Sequence, residues 1–186
     1  MTQRSGMDSD LYLRFLQGDN GALEELVRVY SDALVRFAYC YVKNAAVAED
    51  IMEEAFAKLI VKRKPFSQDD NLRAYLYKAV RNKSIDYLRA HKKFVPLADI
   101  ESVIRSGETE VSVLRKECNR TIYRCMQQLP TQYQEALYLA YFEDYGAESI
   151  ANIIKKTKKQ VYNLLARAKA ALKTLLEKEG ISYEDV

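Results

Sequence analysis

Apolar side chains recur at three- and four-residue intervals along most of this chain. That spacing places them on one face of an α-helix, whereas a β-strand would need alternation at every second residue. The pattern is clearest from Gly21 to Tyr41, and it returns after Asn44, Asn71 and Thr131. The chain also has only six Gly and three Pro to interrupt helices. The sequence therefore predicts an all-α fold.

The helical pattern is lost between residues 94 and 110, a segment that contains Pro96 and Gly107. Breaks of this kind are typical of a linker between domains. We therefore expect two small helical domains, residues 1–93 and 111–186, joined by a linker over residues 94–110. A hydrophobic fraction of 48% is sufficient for packed cores.

The first domain is expected to contain three long helices. Asp19 or Asn20 can cap the first, because a side-chain oxygen there accepts an unpaired backbone N–H. The second is expected to begin after Asn44 and to end near Arg63. A loop over residues 64–70 then precedes the third.

The second domain ends in a helix-turn-helix pattern. A short helix is expected over residues 147–154, followed by a tight turn and a longer helix that ends near Lys178. Thr157 and Gln160 have the spacing of a capping box at the start of that last helix.

The last helix has one strongly basic face, with seven Lys or Arg and no acid between residues 155 and 173. A DNA-recognition helix needs this arrangement, because its first side chains meet base edges while cations meet phosphates. Without its neighbours, a basic helix could equally be a solvated surface; the preceding short helix and capped turn favour DNA binding. The side chains expected on the polar face are Lys158, Lys159, Tyr162, Asn163 and Arg167.

Two more charged stretches lie in the first domain. The third helix alternates cations with tyrosines, including Tyr75 and Tyr77, which suits single-stranded DNA because bases stack on aromatic rings. Half-buried packing of those tyrosines is the alternative. The second helix carries four acids between Glu49 and Glu54, next to Phe56. These acids predict a docking surface for a basic protein, or an ordinary solvated face.

Several functional classes lack the residues that they need. His91 is the only histidine and the three cysteines form no C-x-x-C pair, so neither a zinc site nor a catalytic triad is predicted. We expect no catalytic residues, no metal and no cofactor. No apolar run reaches the roughly 18 residues of a membrane helix, and residues 1–10 lack a signal core. A cytoplasmic protein without membrane insertion is expected.

Three of these motifs together resemble one family, the extracytoplasmic-function (ECF) sigma factors of bacteria. The sequence AEDIMEEAF at residues 48–56 resembles the polymerase-binding helix of that family. Residues 71–89 resemble its helix for promoter melting and recognition of the minus-ten element, and residues 129–172 its helix-turn-helix for the minus-thirty-five element. The resemblance covers residues 8–93 and 111–178.

The resemblance implies a sigma factor, which directs RNA polymerase to promoters and initiates transcription without being an enzyme. The implied contacts with core RNA polymerase are Asp50, Glu53 and Phe56. Those with the minus-ten region of promoter DNA are Tyr75, Asn82, Asp86 and Arg89. Those with the minus-thirty-five element are Lys158, Lys159, Gln160, Tyr162, Asn163 and Arg167. The loop over residues 64–70 would help to hold a flipped base, and the linker would run toward the RNA exit path.

Two alternatives and one further partner follow from the same residues. A helix-turn-helix repressor or activator would bind its operator without polymerase, and would leave the acidic helix without a role. A small helical enzyme would need a catalytic constellation that the chain lacks. If the protein is a sigma factor, an anti-sigma factor that clamps its two domains is a further partner to consider.

The chain departs from the family pattern at four positions. Glu53 replaces a common Gln, and Tyr75 replaces the usual Trp. Gly146 lies where a Ser commonly caps the short helix, and Lys155 replaces a turn Gly. A residue with a side chain at position 155 is strained if its φ is positive.

Overall fold

A computed structural model describes the chain at residues 10–63, 65–66, 72–91 and 121–180. All regular structure in these ranges is helical, which confirms the predicted all-α fold. Backbone contacts divide the chain into two compact units, residues 1–98 and 99–186. The predicted linker over residues 94–110 lies outside the described ranges, so its boundaries stay predictions.

The first unit is built around three long helices that all pack against one another. Residues 10–16 form a short helix (α1), and the long ones are Asn20–Val42 (α2), Ala45–Lys62 (α3) and Leu72–Ala90 (α4). The predicted helices are thereby confirmed, with small differences at their ends. Of the predicted loop over residues 64–70, only residues 65 and 66 are described.

Local capping determines where α2 and α3 begin. The Asp19 carboxylate accepts the backbone N–H of Ala22 at 3.2 Å, so Asp19 is the cap of α2. The Asn44 side chain accepts the backbone N–H of Val47 at 3.1 Å and caps α3. Between the helices only Lys43 and Asn44 are non-helical, and Lys43 has a left-handed φ of 52°. This short connection makes α2 and α3 antiparallel neighbours.

The C-terminal part of α2 is buried on every side. Each residue from Phe37 to Val42 is buried, which requires packing partners all round the helix. The Phe37 ring lies edge-on to Tyr77 of α4, with centroids 5.1 Å apart. Tyr77 has no exposed surface, so packing is its role rather than base stacking.

Aromatic rings also attach α1 to the rest of the first unit. Tyr12 contacts Phe66 with ring centroids 5.1 Å apart, and Phe66 contacts Tyr75 of α4 at 5.2 Å. The Arg63 guanidinium lies 5.2 Å from the centroid of the Phe15 ring. This cluster joins α1 to the start of α4 through the segment that follows α3.

The second unit is a set of shorter helices packed against a long one. Residues 121–127 are helical (α5), followed by Thr131–Leu137 (α6), a π-helical turn Tyr138–Phe142, Ala147–Ile154 (α7) and Lys158–Lys178 (α8). Both α6 and α7 pack against α8. Cys125 is buried, whereas Cys118 lies outside the described residues.

The π turn was not predicted, because the periodicity favours an uninterrupted α-helix through Tyr141. The Glu143 N–H bonds the Tyr138 carbonyl at 3.2 Å, a span of five residues. The rings of Tyr138 and Phe142 stack with centroids 5.3 Å apart. Tyr141 is 56% exposed, and the Lys169 ammonium lies 5.1 Å from its ring centroid.

A buried glutamine holds α5 and α6 together. The side-chain N–H group of Gln134 donates to the backbone carbonyls of Gln127 at 3.1 Å and Leu129 at 2.6 Å. Carbonyls at a helix C-terminus have no partner within the helix, so this amide satisfies groups that would otherwise be buried unpaired. Helical spacing in the sequence does not indicate this role.

We predict that Ser84→Ala raises the free energy of unfolding by about 1 kcal/mol, because alanine favours the helix and removes a buried unpaired hydroxyl. Ser84 has no exposed surface, and its hydroxyl has no hydrogen-bond partner among the described residues. Circular dichroism should show the thermal midpoint of the first unit raised by roughly 4–8 °C.

The matched control is Ser31→Ala, a half-buried serine on α2 that tests the helix-propensity contribution alone. It should raise the midpoint by less. A midpoint lowered by Ser84→Ala would contradict the assignment of an unpaired hydroxyl.

Candidate protein and nucleic-acid interfaces

The acidic cluster of α3 is divided between two uses. Glu49, Asp50 and Glu53 are exposed, and none has a basic partner among the described residues. Glu54 instead forms an ion pair with Lys83 of α4. Three acids are therefore available to a basic partner, while the fourth links two helices of the first unit.

Phe56 differs in exposure from the acids beside it. Its side chain is 4% exposed and belongs to the core between α3 and its neighbours. In this position it anchors the helix that carries the exposed Asp50 and Glu53. The predicted contact of Phe56 with core RNA polymerase stays a prediction.

The predicted minus-ten residues lie on one face of α4. Leu76, Val80 and Ser84 are buried, which defines the inward face. The opposite side of the helix carries the predicted residues Tyr75, Asn82, Asp86 and Arg89. Together with Lys78 they follow one another at intervals of three or four residues, so they share one helix face. The outward face of α4 thus combines cations, an amide and an aromatic ring.

The members of this face differ in exposure. Asp86 and Arg89 are exposed and lie 3.5 Å apart as an ion pair, while Asn82 is half-buried. Tyr75 is half-buried against Phe66, and burial raises the pKa of its hydroxyl above an ordinary value that already keeps the phenol neutral at physiological pH. A neutral phenol with one covered edge can still stack through its open side.

The predicted capping box at the start of α8 is present. The backbone N–H of Gln160 donates to the Thr157 hydroxyl at 3.2 Å, and the Thr157 N–H donates to Gln160 Oε1 at 2.8 Å. This has a consequence for the expected role of Gln160 in DNA recognition. Its carbonyl oxygen is already engaged, so only its side-chain NH₂ group is available to a base.

The polar face of α8 is open to solvent along its first three turns. Val161, Leu164 and Ala168 are buried, and Leu165 is half-buried. The side chains predicted for the polar face are all exposed: Lys158, Lys159, Tyr162, Asn163 and Arg167. Lys158 lies 3.7 Å from Glu148 of α7, a weak surface pair.

A polar groove beside α8 adds residues that the sequence analysis missed. It has a volume of about 250 Å³, and Gln132 and Tyr133 of α6 line it opposite Gln160, Asn163 and Arg167. Nothing in their local sequence marks Gln132 and Tyr133, because only the packing of α6 on α8 brings them to this surface.

The turn between α7 and α8 has the strained geometry that the sequence analysis anticipated. Lys155 has φ of 55°, in the left-handed region that disfavours a side chain. Gly146 is the N-cap of α7 and, lacking a side chain, makes no capping bond. The helix-turn-helix is therefore well capped at α8 and poorly capped at α7.

The described ranges lack two further kinds of feature. No helix there is both long and apolar enough to span a membrane. Among the same residues, no group of three His, Cys, Asp or Glu side chains is arranged to hold a metal ion.

Comparison with known sequences identifies both units. The profile described as Sigma-70 region 2 matches residues 26–94, and that described as Sigma-70, region 4 matches residues 119–172. The ECF RNA polymerase sigma factor SigM of Bacillus subtilis (strain 168) is 26% identical over 168 residues, covering 87% of this chain and 99% of that protein. The RNA polymerase sigma-H factor of Pseudomonas aeruginosa is 27% identical over 181 residues, covering 91% of this chain and 94% of that protein.

Comparison with solved structures supports the fold. The sigma factor RpoE from Bartonella quintana, solved with the anti-sigma factor NepR, matches with a TM-score of 0.67 and 20% identity, covering 83% of this chain and 96% of RpoE. CnrH, solved with the cytosolic domain of CnrY, matches with a TM-score of 0.65 and 20% identity, covering 92% of this chain and 98% of CnrH.

We predict that Lys155→Gly stabilises the second unit by about 0.5–1 kcal/mol, because relief of the left-handed strain exceeds the entropy cost of glycine. Lys156→Gly is the control: it removes the same charge from a neighbouring residue whose φ is not positive, and should destabilise. Urea unfolding of both variants measures the difference. Equal destabilisation by the two changes would contradict the strain at Lys155.

Proposed function

The chain belongs to the sigma-70 family as a sigma factor of the ECF group, and from this we propose that its three charged surfaces have separate roles. As a sigma factor it directs RNA polymerase to promoters and initiates transcription. We propose that the exposed acids of α3 bind the polymerase, the outward face of α4 holds opened minus-ten DNA, and α8 recognises the minus-thirty-five duplex.

The polar face of α8 is the observation that carries the DNA-binding part of the proposal. Its cations and amide lie on the exposed side of a capped helix, while its apolar residues are buried. Such a helix can enter the major groove with Asn163 toward the bases and Lys159 toward a phosphate. The groove at Gln132 and Tyr133 would extend the contact to the DNA backbone.

The outward face of α4 suits single-stranded DNA because it offers one aromatic ring, one amide and several cations. Tyr75 supplies a stacking surface, Asn82 can pair with a base edge, and Arg89 can meet a phosphate. Melting of the promoter would then require no catalysis by this chain, because binding of the unpaired bases to α4 supplies the free energy. We accordingly infer that the protein is not an enzyme and that it works in the cytoplasm, where the polymerase is.

We infer that an anti-sigma factor is a further partner. RpoE and CnrH, which share the fold of this chain, were both solved with protein partners, NepR and the cytosolic domain of CnrY. Co-expression of this chain with tagged candidate inhibitors, followed by a core-polymerase competition assay, would test that inference.

We predict that Glu53→Lys lowers the affinity for core RNA polymerase at least tenfold, or about 1.4 kcal/mol. The reversal replaces attraction to a basic partner by repulsion at an exposed site, so folding should be unaffected. Affinity is measured by fluorescence titration of labelled protein with core enzyme. Glu24→Lys, at an exposed position of α2, is the charge-matched control and should bind normally.

We predict that Lys159→Ala weakens promoter binding by the assembled holoenzyme. Because Lys159 is proposed to meet a phosphate, its loss should make the salt dependence weaker. The magnitude of the slope of log affinity against log salt concentration should decrease by about one. Lys178→Ala, at the other end of α8, removes the same charge from an exposed position and should leave the slope unchanged. Operator-like binding of the free chain, unaffected by core enzyme, would instead favour a helix-turn-helix repressor or activator.

A further inference from the structure

A series of aromatic rings runs from α1 to the proposed base-stacking residue of α4. The ring centroid of Tyr12 lies 5.1 Å from that of Phe66, which in turn lies 5.2 Å from that of Tyr75. The planes of the two pairs are inclined by 58° and 61°, an arrangement that aromatic rings prefer to a face-to-face sandwich. Phe66 thus connects a residue of α1 to the ring of Tyr75.

The two ends of this series differ in exposure. Tyr12 is 2% exposed and cannot touch DNA, whereas Tyr75 is only half-buried. Burial raises the pKa of the Tyr12 hydroxyl, and the neighbouring Tyr75 raises that pKa further, so the two phenols are near each other. Tyr12 therefore lies behind the proposed stacking site and not in it.

Helix α1 holds the segment that follows α3 at two points. Arg63, the C-cap of α3, has a left-handed φ of 40°, and its guanidinium lies 5.2 Å from the centroid of the Phe15 ring. Three residues later, Phe66 contacts Tyr12. The rings of Tyr12 and Phe15 are themselves 5.9 Å apart, and both are buried. The aromatic residues of α1 therefore determine where Phe66 lies.

The contact of Phe66 with Tyr75 restricts the stacking ring before DNA is bound. A side chain that becomes immobile only on binding loses conformational entropy, and this loss weakens the complex. A ring that its neighbours already hold avoids part of that loss. Phe66 can hold Tyr75 only while its own ring is supported from the buried side, which is the position of Tyr12.

We propose that Tyr12 is a positioning residue for the capture of unpaired minus-ten bases, and that it acts through Phe66 on the ring of Tyr75. The inference rests on the proposed function of Tyr75. Helix α1 then contributes to promoter opening through a buried residue that does not touch DNA. A tyrosine that only filled the core would affect stability alone.

The test uses holoenzyme reconstituted from core RNA polymerase and full-length variants of this chain. The probe is a duplex promoter, with thymines in its minus-ten element, that the parent holoenzyme selects from a random DNA library. Permanganate reactivity of unpaired thymines measures opening, and filter binding at low temperature measures affinity in the closed complex. Thermal unfolding followed by circular dichroism reports the stability of each variant.

The variants separate positioning from packing. Tyr12→Leu removes the aromatic contact, and Tyr12→Phe keeps it. The control Tyr41→Leu changes another buried tyrosine, in the separate series Tyr41, Phe37 and Tyr77, which reaches α4 at a ring without exposed surface. Tyr12→Leu is also combined with Tyr75→Leu, because a residue that acts through Tyr75 has no further effect once that ring is absent.

We expect Tyr12→Leu to decrease opening about fivefold and to leave closed-complex affinity within about twofold, since one supporting ring contact is lost. Tyr12→Phe should open DNA like the parent. Tyr41→Leu should lower the thermal midpoint without a loss of opening. Phe66→Leu breaks the same series at a half-buried position, where folding is less at risk, and should match Tyr12→Leu.

Normal opening by Tyr12→Leu and Phe66→Leu, or an equal loss of opening by Tyr41→Leu, overturns the proposal. An undiminished further loss when Tyr12→Leu is added to Tyr75→Leu does so too. If Tyr12→Leu does not fold, the result for Phe66→Leu decides. If Tyr75→Leu opens DNA normally, the proposed function of Tyr75 is wrong and the positioning role falls with it. If Tyr75→Leu alone opens DNA weakly, that function stands and only the positioning by α1 is wrong.

Discussion

The burial of α2 on all sides is the constraint on which the first unit depends. The segment from Phe37 to Val42 has no exposed residue, so other helices must cover it from several directions. Contacts with α3 and α4 do this, and each of those helices presents its own apolar face inward. Their opposite faces are consequently turned to solvent. The acidic surface of α3 and the basic surface of α4 are exposed because the opposite faces of these two helices cover α2.

Features that depend on a few neighbouring residues could be predicted from the sequence. The caps at Asp19 and Asn44 and the capping box of Thr157 and Gln160 each involve atoms three residues apart, and all are present. The strained φ of Lys155 is likewise local. These interactions form in much the same way wherever such a segment occurs, so their sequence patterns are reliable.

Features that depend on packing between distant segments could not be predicted in the same way. Helical spacing did not reveal that Phe56 and Tyr77 are core residues. Apolar periodicity does not distinguish an aromatic ring buried in the core from one that binds a partner. The groove at Gln132 and Tyr133 arises only when α6 meets α8. The exposure of Val61 beside the buried Leu59 likewise follows only from the fold, because both residues are apolar.

The double use of Gln160 limits how this protein can change its DNA preference over evolution. The same side chain closes the capping box and lies on the polar face of α8 that is proposed to bind DNA. Most substitutions that would alter a base contact there also remove a bond to the Thr157 N–H. Glutamate, which can close the same box, is the accessible exception. Variation in promoter choice is therefore easier at Asn163, whose side chain takes no part in the caps of the described helices.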